Sequence, residues 1–197
     1  GSFRGDKSMI QYHARLIIIV IFMLVQHITA FDQINVVDSS DAQNAGNNYS
    51  FLVGGHYYGN SNNQTGLPAN SVLANLDLFN SELYSFHVAL GDVFLDVRND
   101  LFLYQNKFFA KIKTPLYIAV GNHDVSGSFF EEQIGETSFQ FKFGTDIHLI
   151  LDTERNDGNI IENQLELLKN SCNFSCKNIF IYSHRPVWSE NDQENAL

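Results

Sequence analysis

The sequence predicts an α/β fold with a mixed sheet. Short apolar runs closed by glycine or polar residues alternate with stretches of helical spacing, the pattern of parallel βαβ units packed in layers. A late pair of apolar runs joined by Gly144-Thr145-Asp146 reads as a β-hairpin and adds an antiparallel element. Composition agrees with a folded domain: 197 residues, 44% hydrophobic and 17% charged. Those values exclude a disordered or collagen-like chain, and the length suits one domain.

Residues 1–30 read as a leader. Leu16–Val25 is ten apolar residues in a row, preceded by Arg15 and followed by Ile28-Thr29-Ala30, the order of a secretory signal peptide starting at Met9. Ten residues are too few for a bilayer span, which takes about 20. Residues 1–8 precede that start and are not read as part of the fold. Residues 31–50 are polar and read as a linker, and the folded domain runs from 51 to 197. The expected compartment is therefore secreted, periplasmic or cell-envelope, with no transmembrane domain in the mature chain.

The domain opens with a strand at Phe51-Leu52-Val53, ending at Gly54-Gly55. Val72, Leu73, Leu76 and Phe79 recur at helical spacing and predict a helix over 70–80. Phe86–Leu90 is a buried strand stopped by Gly91. Leu101, Phe102, Tyr104, Phe108 and Phe109 predict a second helix, and Pro115–Val120 a strand stopped by Gly121. The hairpin strands are Ser138–Phe143 and Ile147–Asp152. A third helix over 160–170 would turn Ile161, Leu165 and Leu168 inward, and a last strand, Asn178–Tyr182, enters Ser183-His184-Arg185-Pro186.

Ligands of open α/β sheets collect at the carboxyl ends of strands. Four strand ends here carry polar groups: His56, then Asp92, then Asn122-His123-Asp124, then His184. Glycines at three of them permit tight turns and close backbone approach. Imidazole, carboxylate and amide oxygen are all metal ligands. His87 and His148 lie inside strands and read instead as core histidines with hydrogen-bond partners. Cys172 and Cys176 are close enough to staple a small loop in an exported chain, and no second Cys/His pair at zinc-finger spacing accompanies them. Asn48-Tyr49-Ser50, Asn63-Gln64-Thr65 and Asn173-Phe174-Ser175 have the form of glycosylation acceptors.

The blocks Gly91-Asp92-Val93-Phe94-Leu95-Asp96, Gly121-Asn122-His123-Asp124 and Tyr182-Ser183-His184-Arg185-Pro186 resemble, in order and spacing, those of calcineurin-like metallophosphoesterases. Ile147–Thr153 and Gln164–Leu168 resemble the region between the last two. The resemblance runs from about Phe51 to Trp188 and implies a layered α/β-β-α sandwich with mixed sheets. It also implies two divalent metal ions, manganese, iron or zinc, and hydrolysis of phosphomonoesters or phosphodiesters through a metal-bridging hydroxide. Asp92 would bridge the metals, Asn122 and His184 would bind one, and His56 the other. His123 would be the general acid that protonates the leaving oxygen, with Asp96 or Asp124 orienting it. The chain departs from the family pattern twice. The family's first block is D-x-H, and here Gly54 stands where the aspartate would be. The family also ends in a G-H-x-H block, and this chain stops at Leu197 without one, as a C-terminally incomplete sandwich would.

Charge bears on the same point. With 12 Lys+Arg against 22 Asp+Glu the net charge is −10, a poor match to a nucleic-acid backbone. No Lys or Arg lies between Phe31 and Val97, so positive charge for a phosphate would have to come from bound metal. The expected partner is a small phosphoester or an envelope component. The rival reading is a non-catalytic envelope or binding protein that keeps the fold with a degenerate metal site. A globular export with chance motifs is the third.

Overall fold

The structure, a computed structural model, describes residues 34–35, 48–155, 158–160, 162–171 and 176–187. The leader, most of the 31–50 segment, Cys172 with its expected loop staple, Asn173, Ile161 and Trp188 lie outside the described residues. Among the described residues no helix is long and apolar enough to cross a membrane.

The described chain is a mixed α/β structure with two three-stranded sheets. The first contains β1 (Phe51–Gly54), β2 (Phe86–Ala89) and β3 (Leu116–Ile118), all parallel, with β2 central. The second contains β4 (Phe139–Phe143), β5 (Asp146–Ile150) and β6 (Ile179–Tyr182). β4 and β5 form the expected antiparallel hairpin, and β6 joins β5 in parallel. The central strands β2 and β5 are buried at every residue, which is why both read as largely apolar runs, each interrupted by a buried histidine.

Period-two alternation sends the side chains of the first sheet to two cores. Leu52, Ala89, Leu116 and Ile118 face a cluster that includes Phe79, Tyr104, Phe108 and Phe130. Phe51, Phe86, Val88 and Tyr117 face the other way and meet Phe139, Phe141, Ile150 and Tyr182 of the second sheet. His148 sits inside this aromatic layer, parallel to Phe141 and Phe180 at 4.8 and 5.0 Å between ring centroids. Tyr182 Oη and Tyr49 Oη each lie 2.9 Å from one of its nitrogens, and Tyr49 in turn donates to Asp146 at 2.8 Å. Burial holds the pKa of His148 down at about 4, against a weaker opposing pull from Asp146. His87 is also fully buried and donates from Nε2 to the Phe79 carbonyl at 2.6 Å.

The predicted helix over 70–80 is two single turns, α1 (Asn70–Leu73) and α2 (Leu76–Phe79). They separate at Asn75, whose amide donates to the Ser71 carbonyl at 2.7 Å, a local bond that competes with helix continuation. The second predicted helix is α3 (Val97–Lys107), followed by a 3-10 turn (Phe109–Lys111) that carries the last aromatics inward. Phe102, one of the residues that set the helical spacing, is 66% exposed. A short helix α4 (Phe129–Gln133) was not legible as a periodic run.

The last helix is α5 (Glu162–Ser171). Leu165, expected inward, faces out, and its neighbour Gln164 is buried instead. Gln164 earns that position with two bonds to one backbone unit: Oε1 accepts from Asp152 N at 2.7 Å and Nε2 donates to Asp152 O at 3.0 Å. Two residues of the predicted linker are seated on the first sheet. Ile34 forms a parallel bridge with Leu116, and Asn35 accepts from Ile118 N at 2.7 Å. They supply partners for a β3 edge that would otherwise present open backbone groups.

Candidate metal centre

The ends of β1 and β2 are joined by backbone bonds. Leu90 N donates to Gly54 O at 2.7 Å, and His56 N donates to Gly91 O at 3.0 Å. The chain then turns sharply at both places. His56 and Asp92 hold φ values of 53° and 54°, in the left-handed region that ordinary side chains rarely adopt. Two glycines make room. A Cβ on Gly121 would lie 2.3 Å from Asp92 Oδ1, and one on Gly91 would lie 2.5 Å from His184 Nδ1. The third loop therefore approaches Asp92 as closely as backbone can.

Asp124 fixes this approach. It is fully buried, and its carboxylate accepts from Val93 N and Phe94 N through Oδ1 at 2.9 and 3.0 Å, and from Gly121 N through Oδ2 at 2.8 Å. One side chain thus ties the loop after β2 to the loop after β3. Burial pushes its pKa up to about 6, with the nearby Asp92 charge adding and the backbone N–H groups opposing.

His56, Asp92 and His184 form a compact cluster, with one ligand atom from each lying within 4.8 Å of the others. His56 Nδ1 stands 3.4 Å from Asp92 Oδ2, and His184 Nε2 stands 3.7 Å from Asp92 Oδ1. Each carboxylate oxygen thus has its own imidazole. His184 Nδ1 donates to the Leu90 carbonyl at 2.8 Å. In the neutral ring Nε2 then carries a lone pair, and that lone pair faces an oxygen of a carboxylate that is only 4% exposed. Two acceptors aimed at each other in a buried position call for a cation, either a proton or a metal, between them. The donor set of imidazole and carboxylate fits a transition-metal dication.

Asn122 is exposed, in the loop between Gly121 and His123, whose N–H donates to Asp92 Oδ1 at 3.3 Å. His123 is half-buried and donates from Nδ1 to the Leu95 carbonyl at 2.7 Å, so that bond does not engage Nε2. Asp96, a candidate for orienting His123, spends its carboxylate on the start of α3, where it accepts from Arg98 N and Asn99 N. Asp124, the other candidate, is occupied by the three backbone groups above. A backbone carbonyl, which no sequence motif marks, stands at the ring nitrogen where a carboxylate was sought.

At Gly54 the ring of Tyr57 fills the space beside the strand, 3.1 Å from where a Cβ would be. Tyr57 is buried, and its hydroxyl has no partner among the described residues. Tyr58 packs against both His123 and His56, at 5.1 and 5.9 Å between ring centroids. The two arginines beside the motif blocks are committed elsewhere. Arg185 makes three contacts with the Glu154 carboxylate at 2.6–3.0 Å, and Arg98 binds Ser126 while lying over the Phe129 ring. No protein-family model and no curated protein matches the chain.

Proposed function

We propose that the chain is a metal-dependent phosphoester hydrolase of the calcineurin-like kind, exported and built on the layered sandwich that its motifs imply. The observation that carries this reading is the Asp92 carboxylate, flanked on one oxygen by His56 and on the other by His184. That is the arrangement a carboxylate needs to bridge two cations. Asp92 would be shared, His56 would hold one ion, and His184 with Asn122 the other. When bound, such cations lower the pKa of water and neutralise phosphoryl charge. His184 keeps Nε2 available because Leu90 takes its Nδ1–H. His123 gives the proton at Nε2 to the leaving oxygen while its Nδ1–H stays on Leu95.

The test is hydrolysis of phenyl phosphate with manganese, with bound metal measured in parallel. Asp92→Asn should lose metal and at least 100-fold in rate. His123→Ala should keep metal and lose about 10²–10⁴-fold, the usual scale for a general acid. Equal rates in the wild type and both variants would end the proposal. The second reading, a binding protein with a degenerate metal site, draws on Gly54, which offers no anionic side chain and has the Tyr57 ring 3.1 Å from where a Cβ would be. It predicts metal binding without turnover.

A further inference from the structure

The 57–70 loop borders an open pocket of about 280 Å³ lined by Tyr58, Asn60, Asn62, Asn63, Thr65 and Asn70 among others. Among the described residues, no charged side chain lines it. We infer that this pocket holds the leaving group of the substrate, and that the group is an uncharged polyhydroxylated ring, a sugar. The inference rests on the phosphoesterase reading and names its substrate class.

The position comes from Tyr58. Its ring lies against His123, and a general acid marks the side from which the leaving oxygen departs. Tyr58 also lines the pocket, so the pocket and the general acid share one side chain. The pocket is built rather than incidental. Ala69 N donates to Tyr57 O at 2.8 Å and closes the loop at its neck. Asn63 braces it from inside, donating to the Tyr58 and Leu67 carbonyls at 2.7 and 2.9 Å. Its amide nitrogen is thus engaged in the fold and is a poor site for a glycan. Gly59, at φ +92°, allows a close pass in which an added Cβ would stand 2.9 Å from that of Ala69.

The chemistry comes from the remaining amides. Asn62 and Asn70 have exposed side chains, and Asn60 Oδ1 accepts from Asn62 N at 2.9 Å, leaving its NH₂ group. Each carboxamide offers a donor and an acceptor, which match hydroxyl groups that are themselves both. With no cation in the lining among the described residues, the pocket offers no charge to hold a second phosphate or a carboxylate. A volume just under the roughly 300 Å³ at which pockets for drug-sized ligands begin suits one ring. A hexose phosphate and the ribose of a nucleoside 5′-phosphate share this chemistry.

The test compares the manganese-loaded wild type with Asn62→Ala/Asn70→Ala, both positions being exposed. Glucose 6-phosphate, adenosine 5′-phosphate and phenyl phosphate are the substrates. The expected result is at least a tenfold fall in kcat/KM for one of the sugar phosphates relative to phenyl phosphate. The sugar phosphate that falls identifies the source of the ring. An unchanged ratio with phenyl phosphate still hydrolysed overturns the sugar pocket and leaves the phosphoesterase reading standing. If no substrate is turned over, that reading fails, and saturation-transfer NMR with methyl glucoside and methyl riboside decides the pocket. Transfer that is lost in the double variant supports it, and no transfer in the wild type overturns it.

Discussion

Acidification should unload the second sheet through His148. The ring is fully buried between Phe141 and Phe180, with a tyrosine hydroxyl at each nitrogen. Its pKa is lowered from 6.5 to about 4, chiefly by burial. Between those values the unfolded chain binds a proton that the folded chain refuses, so folding stability falls as pH falls. The full stability is present above 6.5 and is lost on the way down to about 4. The span corresponds to roughly 3 kcal/mol, at about 1.4 kcal/mol for each pH unit. That is a large share of the roughly 5–15 kcal/mol by which domains are stable. Urea unfolding from pH 7 to pH 4.5 measures it, with His148→Gln as the reference. His87 is shifted in the same direction by its own burial, and carboxylates protonate at the lower end, so the difference between the two proteins is the quantity to read. The wild type should lose about one proton's worth of slope more than the variant between pH 6 and 4.5. Parallel curves would refute the reasoning, because they would mean that His148 is protonated in the fold as readily as in the unfolded chain.

Gly121→Ala should abolish metal binding while leaving the sheets folded, since its Cβ would meet Asp92 Oδ1 at 2.3 Å; circular dichroism and metal titration check both halves, and normal metal affinity would contradict the close approach. Tyr57→Phe should raise stability by about 1 kcal/mol, because the buried hydroxyl has no partner among the described residues. A loss of stability on thermal or urea unfolding would show that the hydroxyl does bond something. Asp124→Asn should cost about 1–3 kcal/mol, since an amide NH₂ would be forced against either Gly121 N–H or the Val93 and Phe94 N–H pair, leaving a buried donor unpaired. A neutral outcome in urea unfolding would mean that the carboxylate is already protonated in the fold.

The strands were legible because burial on both faces writes apolar runs into the sequence, and glycine marks where those runs stop. The convergence of His56, Asp92 and His184 was legible from their common position after strands, and His87 and His148 were legible as core residues from their position within them. Helix faces were less so. Leu165 and Gln164 exchange places because two hydrogen bonds to Asp152 outweigh one leucine contact, and no periodicity reports a tertiary bond of that kind. Leu95 was invisible for a similar reason: its contribution to His123 is a carbonyl, which every residue has. Ile34 and Asn35 sat in a polar stretch whose composition hid the sheet edge they complete.

The left-handed backbone at His56 and Asp92 has a consequence for anyone improving this protein. A residue held in that region typically costs of order 1–3 kcal/mol, and glycine would relax it. A library selected only for heat resistance should therefore enrich glycine at these two positions, and each such gain would erase an imidazole or the carboxylate of the His56–Asp92–His184 cluster. If the cluster holds metal as proposed, a thermostability screen needs a metal-binding counter-screen, because selection for stability alone would return the scaffold without the His56–Asp92–His184 cluster.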